Sequence, residues 1–164
     1  MAYKDILSNG MRVVIEEIPH VRSVATGIWV GVGAAHEEKV QGGISHFIEH
    51  MLFKGTAQRS AKEIAEEMES VGGQMNAFTS KEHTCYYTKC IDENFELSLD
   101  LLSDMYRNSL FDENEFAKEK DVILEEISMY EDTPDDLVHD LFASTIWKGH
   151  VYGLPTIGSK TTVG

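Results

Sequence analysis

The chain has 164 residues, 42% of them hydrophobic, and its 28 acidic side chains outnumber its 14 basic ones to give a net charge of −14. That length suits one domain with a moderate core. With no basic patch and no apolar run long enough to span a bilayer, neither nucleic acid nor a membrane is expected as a partner.

Residues 11–18 alternate in hydrophobicity as a half-buried strand does, and after Pro19 a second strand-like run covers residues 23–33. In that run Gly27, Gly31 and Gly33 share a face with Trp29, which predicts close approach of another backbone. An apolar helix follows around residues 44–52. Ser60 and Glu63 form a capping-box pattern at the head of a helix over residues 60–71, and Gly72-Gly73 stop it. Strands are predicted over 74–79 and 83–91, then helices over 94–109 and 112–131 and one beginning at Thr133-Pro134. Strands joined as hairpins, with helices between them, predict an α+β fold: a mostly antiparallel sheet with helices packed on one face.

The chemistry concentrates in His46-Phe47-Ile48-Glu49-His50. At about 100° per helical residue, His46 and His50 lie about 40° apart and Glu49 about 60° from His46 on the other side, so all three project from one stripe. Two imidazoles so placed can grip one divalent ion beside a carboxylate base. Ile44, Phe47, Ile48, Met51 and Leu52 make the rest of the helix apolar, so it is expected to be buried. Because H-x-x-E-H strings also arise by chance, a third ligand is the discriminating feature.

The helix predicted over residues 112–131 supplies a candidate. Asp112 is its N-cap, with Glu115 as capping partner. Its apolar arc holds Phe116, Val122, Ile123, Ile127 and Tyr130; Glu119 and Glu126 fall inside that arc, whereas Glu125 points to the polar side. Phase therefore selects Glu126. Buried carboxylates need partners, so Glu119 either orients the ligands or is ion-paired, for instance to Lys120 in the same arc.

Three blocks now carry a resemblance: Gly42-Gly43-Ile44-Ser45-His46-Phe47-Ile48-Glu49-His50-Met51-Leu52-Phe53-Lys54-Gly55-Thr56; Asn76-Ala77-Phe78-Thr79 with Glu82, Thr84 and Tyr86; and Val122-Ile123-Leu124-Glu125-Glu126. Together they resemble the inverzincin metallopeptidases of the pitrilysin and insulinase family, in the branch that includes the processing peptidases. The resemblance implies one Zn²⁺ per chain on His46, His50 and Glu126, with Glu49 as catalytic base and Glu119 as the acidic partner that orients the ligands. It also implies that Asn76, Ala77 and Phe78 lie on an edge strand that pairs with an extended peptide substrate. The implied protein is a zinc endopeptidase with a two-layer sandwich fold. Residues 1–164 then form the N-terminal portion of a single α/β peptidase domain, incomplete relative to the family. A second homologous domain or subunit closes the site and brings Arg and Tyr groups to it, and a homo-oligomer is compatible with this scheme.

Other readings compete. Zinc-dependent S-ribosylhomocysteine lyases also carry H-x-x-E-H but use a cysteine as third ligand, a place Cys85 or Cys90 would have to fill. Some relatives of the peptidases are non-catalytic, substrate-holding subunits, which typically lose part of the motif. His20, His36, His139 and His150 lack ligand spacing; His83, in the strand next to Asn76, has the best case of the remaining histidines. Cys85 and Cys90 are expected as reduced, packed thiols, since five strand residues span about 16 Å. From residue 92 to residue 140 there are 17 acids against three bases, a solvated face that could also attract basic peptides. The amino terminus lacks a signal core or an Arg-rich presequence, which predicts a cytoplasmic protein.

Overall fold

The computed structural model describes residues 2–164. Two short strands, β1 (Tyr3–Ile6) and β2 (Arg12–Ile15), pair antiparallel as a hairpin of their own. The main sheet contains β3 (Ser23–Val30), β4 (Gln74–Thr79) and β5 (Thr84–Ile91) in the order β3-β5-β4, antiparallel throughout. The sequence predicts β2, β3, β4 and β5 to within a few residues but not β1. It also leaves unsaid that the hairpin stands apart from the main sheet.

Six helices follow the sequence order: α1 (Ile44–Leu52), α2 (Ala61–Ser70), α3 (Phe95–Asn108), α4 (Glu113–Glu131), α5 (Pro134–Ile146) and the single turn α6 (Lys160–Val163). Local chemistry sets several of their ends. Ser60 accepts the Glu63 amide while the Glu63 carboxylate returns to the Ser60 amide, so α2 starts with the predicted box. At α4, Asp112 accepts from the amides of Asn114 and Glu115, but the Glu115 side chain turns instead to Lys118 at 2.6 Å. The expected reciprocal cap is thus half formed, because an (i, i+3) cation competes for the carboxylate.

The sheet is covered on one face. Ile28 and Val30 from β3, Met75 and Ala77 from β4, and Tyr86 and Cys90 from β5 meet Leu52 of α1, Met68 of α2, and Leu101 and Leu102 of α3. Helix α4 lies outside this layer and packs on α1 through Phe47, Met51, Ile123 and Ile127, with Ile157 and Val163 against the same cluster. The alternation of each strand puts Trp29 and Phe78 on the uncovered face, where their rings meet edge to face at 5.7 Å. This is the expected α+β architecture, with helices on one side of an antiparallel sheet.

Three expectations about packing need correction. Ile44 and Ile48 are 45% and 40% exposed, so of the apolar residues of α1 only Phe47, Met51 and Leu52 are buried, with Ser45 and Glu49 beside them. Phe116 and Val122 are likewise exposed, although the Phe116 ring stacks on Phe47 at 4.3 Å. Of the three glycines near Trp29, only Gly33 admits a neighbouring backbone: a Cβ there would stand 2.4 Å from the Ser80 carbonyl. Gly27 instead leaves room for the Trp29 ring, and Gly31 faces open space.

Candidate metal centre

Helix α1 begins at Gly43, in the left-handed region at φ 95°, and from there His46, Glu49 and His50 project toward α4 and the end of β4. His46 Nε2 comes within 3.9 Å of Glu126 Oε1, and His50 Nε2 within 3.6 Å of Glu126 Oε2. One ligand atom from each of His46, His50 and Glu126 lies within 4.8 Å of the others, and among the described residues this is the group of His, Cys, Asp and Glu side chains that can close on one ion. Phase reasoning along α4 therefore brings the intended carboxylate to the two rings. No cysteine joins them. Cys85 and Cys90 are buried as free thiols, Cys90 against Met68 and Leu101, so the geometry that a lyase of the alternative class needs is not assembled.

Each member is held in a form suited to a cation. His50 donates from Nδ1 to Glu119 Oε1 at 2.8 Å, which leaves the Nε2 lone pair facing Glu126. Glu119 is 4% exposed and also receives Lys54 Nζ at 2.5 Å. Burial by itself pushes the Glu119 carboxyl up, but the hydrogen bonds from Lys54 and His50 outweigh it and hold the group below its usual range. The ion-pair expectation for Glu119 is thus met with Lys54 as partner instead of Lys120. Burial, and then the neighbouring His50, lower His46 to about 4, so its ring is neutral near pH 7, the form that binds metals. Its buried Nδ1 has no hydrogen-bond partner among the described residues. Two imidazoles and a carboxylate make a donor set that fits a small divalent ion such as zinc.

Glu49, 9% exposed, accepts a hydrogen bond from Thr79 Oγ1 at 2.5 Å. Burial raises its carboxyl most, and the Thr79 bond and His50 offset that only in part. Thr79 ends β4, whose outer edge is unpaired because β4 bonds only to β5. Asn76, Ala77 and Phe78 therefore sit on an edge strand that runs up to Glu49, where the Ala77 amide donates to the Asn76 side chain at 2.8 Å. Sequence reasoning gave no role to Thr79 or Lys54. Lys54 had a signal, since it stands one turn beyond His50; Thr79 had only its place after Asn76-Ala77-Phe78. His83 lies between Trp29 and Phe78, with ring centroids at 5.1 and 6.0 Å, and is not in the ligand group.

Among the described residues no helix is long and apolar enough to cross a membrane. Comparison with known proteins gives relatives across bacteria. The chain is 56% identical over 155 residues to an uncharacterized zinc protease of Bacillus subtilis, covering 94% of this chain and 38% of that protein. It is 46% identical over 157 residues to an uncharacterized zinc protease of Streptomyces coelicolor, covering 96% of this chain and 34% of the relative. It therefore spans little more than a third of the length of these curated relatives. Among solved structures, a protease from Helicobacter pylori superposes with a TM-score of 0.94 at 27% identity, over 99% of this chain and 40% of that one. A peptidase M16 inactive domain from Pseudomonas fluorescens superposes with a TM-score of 0.89 at 16% identity, which speaks for the fold alone. The sequence profile described as Insulinase (Peptidase family M16) matches residues 12–160, and on that match the chain belongs to the insulinase family, peptidase family M16.

Proposed function

We propose that this chain is the metal-binding part of a zinc endopeptidase that hydrolyses extended or unfolded peptides, in processing-type reactions. The observation that carries the reading is the convergence of His46, His50 and Glu126 within 4.8 Å beside a buried Glu49. His46, His50 and Glu126 are the residues that would hold one Zn²⁺. Bound there, the ion supplies Lewis-acid polarisation of a peptide carbonyl and acidifies water. Glu49 takes the proton of the attacking water and delivers it to the leaving amine. A carboxyl raised by burial is a stronger base than an exposed one, and Thr79 fixes its direction. Glu119 acts through His50 by holding its tautomer and ring plane. The peptide adds as a strand to the free edge of β4 along Asn76, Ala77 and Phe78, which leads its backbone to Glu49.

In this reading residues 1–164 are the first part of an α/β peptidase unit, and a second homologous domain or subunit completes the chamber. The test combines metal analysis with cleavage. The parent chain is expected to bind one zinc, Glu126→Gln to lose most of it, Cys85→Ala to keep it, and Glu49→Gln to keep it while cleavage falls at least about a hundredfold. Metal released by the cysteine change alone overturns the peptidase reading, and undiminished cleavage by Glu49→Gln removes Glu49 from the base role.

A further inference from the structure

The start of α1 cannot cap itself. Its N-cap is Gly43, which has no side chain, and a Cβ there would meet the Ile157 carbonyl at 2.5 Å, so no residue with a capping hydroxyl or carboxylate fits. Two of the amides left open at the helix start, those of the N-cap and the N2 residue, are nevertheless both engaged. Glu37 Oε2 accepts from Gly43 N at 2.7 Å and Glu37 Oε1 from Ser45 N at 2.8 Å. One carboxylate, reaching in from outside the helix, thus serves as a side-chain cap and places a negative charge at the positive end of the helix dipole. Ser45 immediately precedes His46.

What holds Glu37 matters as much. It follows a 3-10 turn, Ala34–His36, whose backbone is fastened to the turn between β4 and β5: Ala34 N donates to Ser80 O at 3.0 Å and Ala35 N to Lys81 O at 2.7 Å. The approach requires Gly33, where a side chain would collide with the Ser80 carbonyl. The same hairpin reaches α1 a second time, through Thr79 on Glu49. Two separate attachments to one hairpin oppose sliding of α1 against it.

We infer that Glu37 is a positioning residue: by capping α1 from a turn anchored on the β4–β5 hairpin, it sets the register of the metal-binding helix against both the edge strand and Glu126. The inference rests on the zinc reading above, and a test by metal affinity keeps the two separable. Zinc affinity of the purified 164-residue chain is measured by chelator competition, alongside thermal unfolding and the amide shifts of Gly43 and Ser45, for the parent, Glu37→Gln, Glu37→Asp and Ser60→Ala. Glu37→Gln keeps the size but removes the charge and one acceptor; Glu37→Asp keeps the charge but shortens the reach. Ser60→Ala removes the box of α2, a helix that carries no group of the metal centre.

Loss of at least about tenfold in zinc affinity is expected for Glu37→Gln, a smaller loss for Glu37→Asp, and none for Ser60→Ala at a comparable loss of thermal stability. The Gly43 and Ser45 amide signals should move in both Glu37 variants. Zinc affinity unchanged in either folded Glu37 variant, or lowered equally by Ser60→Ala, overturns the inference and leaves the zinc reading standing. A parent chain that binds no zinc overturns both.

Discussion

At Glu49, burial and a single hydroxyl pull in opposite directions: desolvation raises the carboxyl, and the Thr79 hydrogen bond is the larger of the effects lowering it. Thr79→Val keeps the shape of the side chain and removes the donor, so Glu49 should rise further and hold its proton at higher pH. Carbon-13 titration of the Glu49 carboxyl in the metal-free chain reads the direction, and an unmoved or lowered midpoint contradicts it. Glu119→Gln is the companion change. It weakens the acceptor that fixes His50 and frees Lys54 Nζ, so zinc affinity should fall about 10- to 100-fold with the fold intact, as equilibrium dialysis would show. These two residues also mark how far the sequence could be read. Glu126 was legible because helical phase is a local property: the same periodicity that buries Ile123 and Ile127 turns Glu126 the same way. Thr79 and Glu37 were not, because their roles depend on which strand end and which turn come to lie beside α1, and no local period encodes that.

Packing between elements is fastened by one polar network beneath α2 and α3. Arg59 reaches Glu67 at 3.1 Å, Asp100 at 2.6 Å and Asp104 at 2.9 Å, while Asp104 also accepts from Thr56 at 2.7 Å and Asn108 at 2.8 Å. Burial alone would raise Asp104, which is 5% exposed, yet its bonds from Asn108, Thr56 and Arg59 together hold it below the usual carboxylate range. The sign follows by linkage: a carboxyl lowered on folding contributes stability that is fully present above its unfolded value and disappears as pH falls through its folded one. Asp104→Asn should therefore destabilise the chain by roughly 1.5–3 kcal/mol near pH 7, because charge-assisted bonds from Arg59 and Thr56 are weakened while Arg59 keeps Glu67 and Asp100, and should flatten the acid limb of the stability curve. Urea titrations at pH 7 and at pH 3 check this; equal losses at both would refute the electrostatic account. Elements with strong end signals, such as Ser60/Glu63 and Gly72, were predicted nearly to the residue. Strand β1 was not, since its four residues are all exposed and bury no alternating face. The exposure of Ile44 and Ile48 was missed for a related reason: apolar residues surround the motif on all sides, so periodicity cannot say which of them the fold will cover.

Viewed as a molecule, the chain buries one face of its sheet and leaves the other with Trp29 63% and Phe78 40% exposed, while on the helical side the Glu126 side chain, proposed as the third metal ligand, is 45% exposed. Charge stabilisation in a hydrolytic transition state depends on fixed dipoles in a site from which water is excluded, and a site whose carboxylate ligand stands open to solvent beside two largely buried rings does not meet that condition. Metal binding and catalysis should therefore separate. Zinc affinity depends on groups this chain already holds in place, with α1 and α4 joined by a buried cluster of Phe47, Met51, Ile123 and Ile127. Peptide hydrolysis needs, in addition, the closing unit proposed above. The 164-residue chain is accordingly expected to bind zinc but to cleave an unfolded peptide at least about a hundredfold more slowly per bound zinc than a full-length relative such as the Bacillus subtilis protein, assayed side by side. Adding a separately expressed second unit should recover part of the difference. Turnover by the monomeric chain equal to that of the longer relative would mean that the open site is already complete.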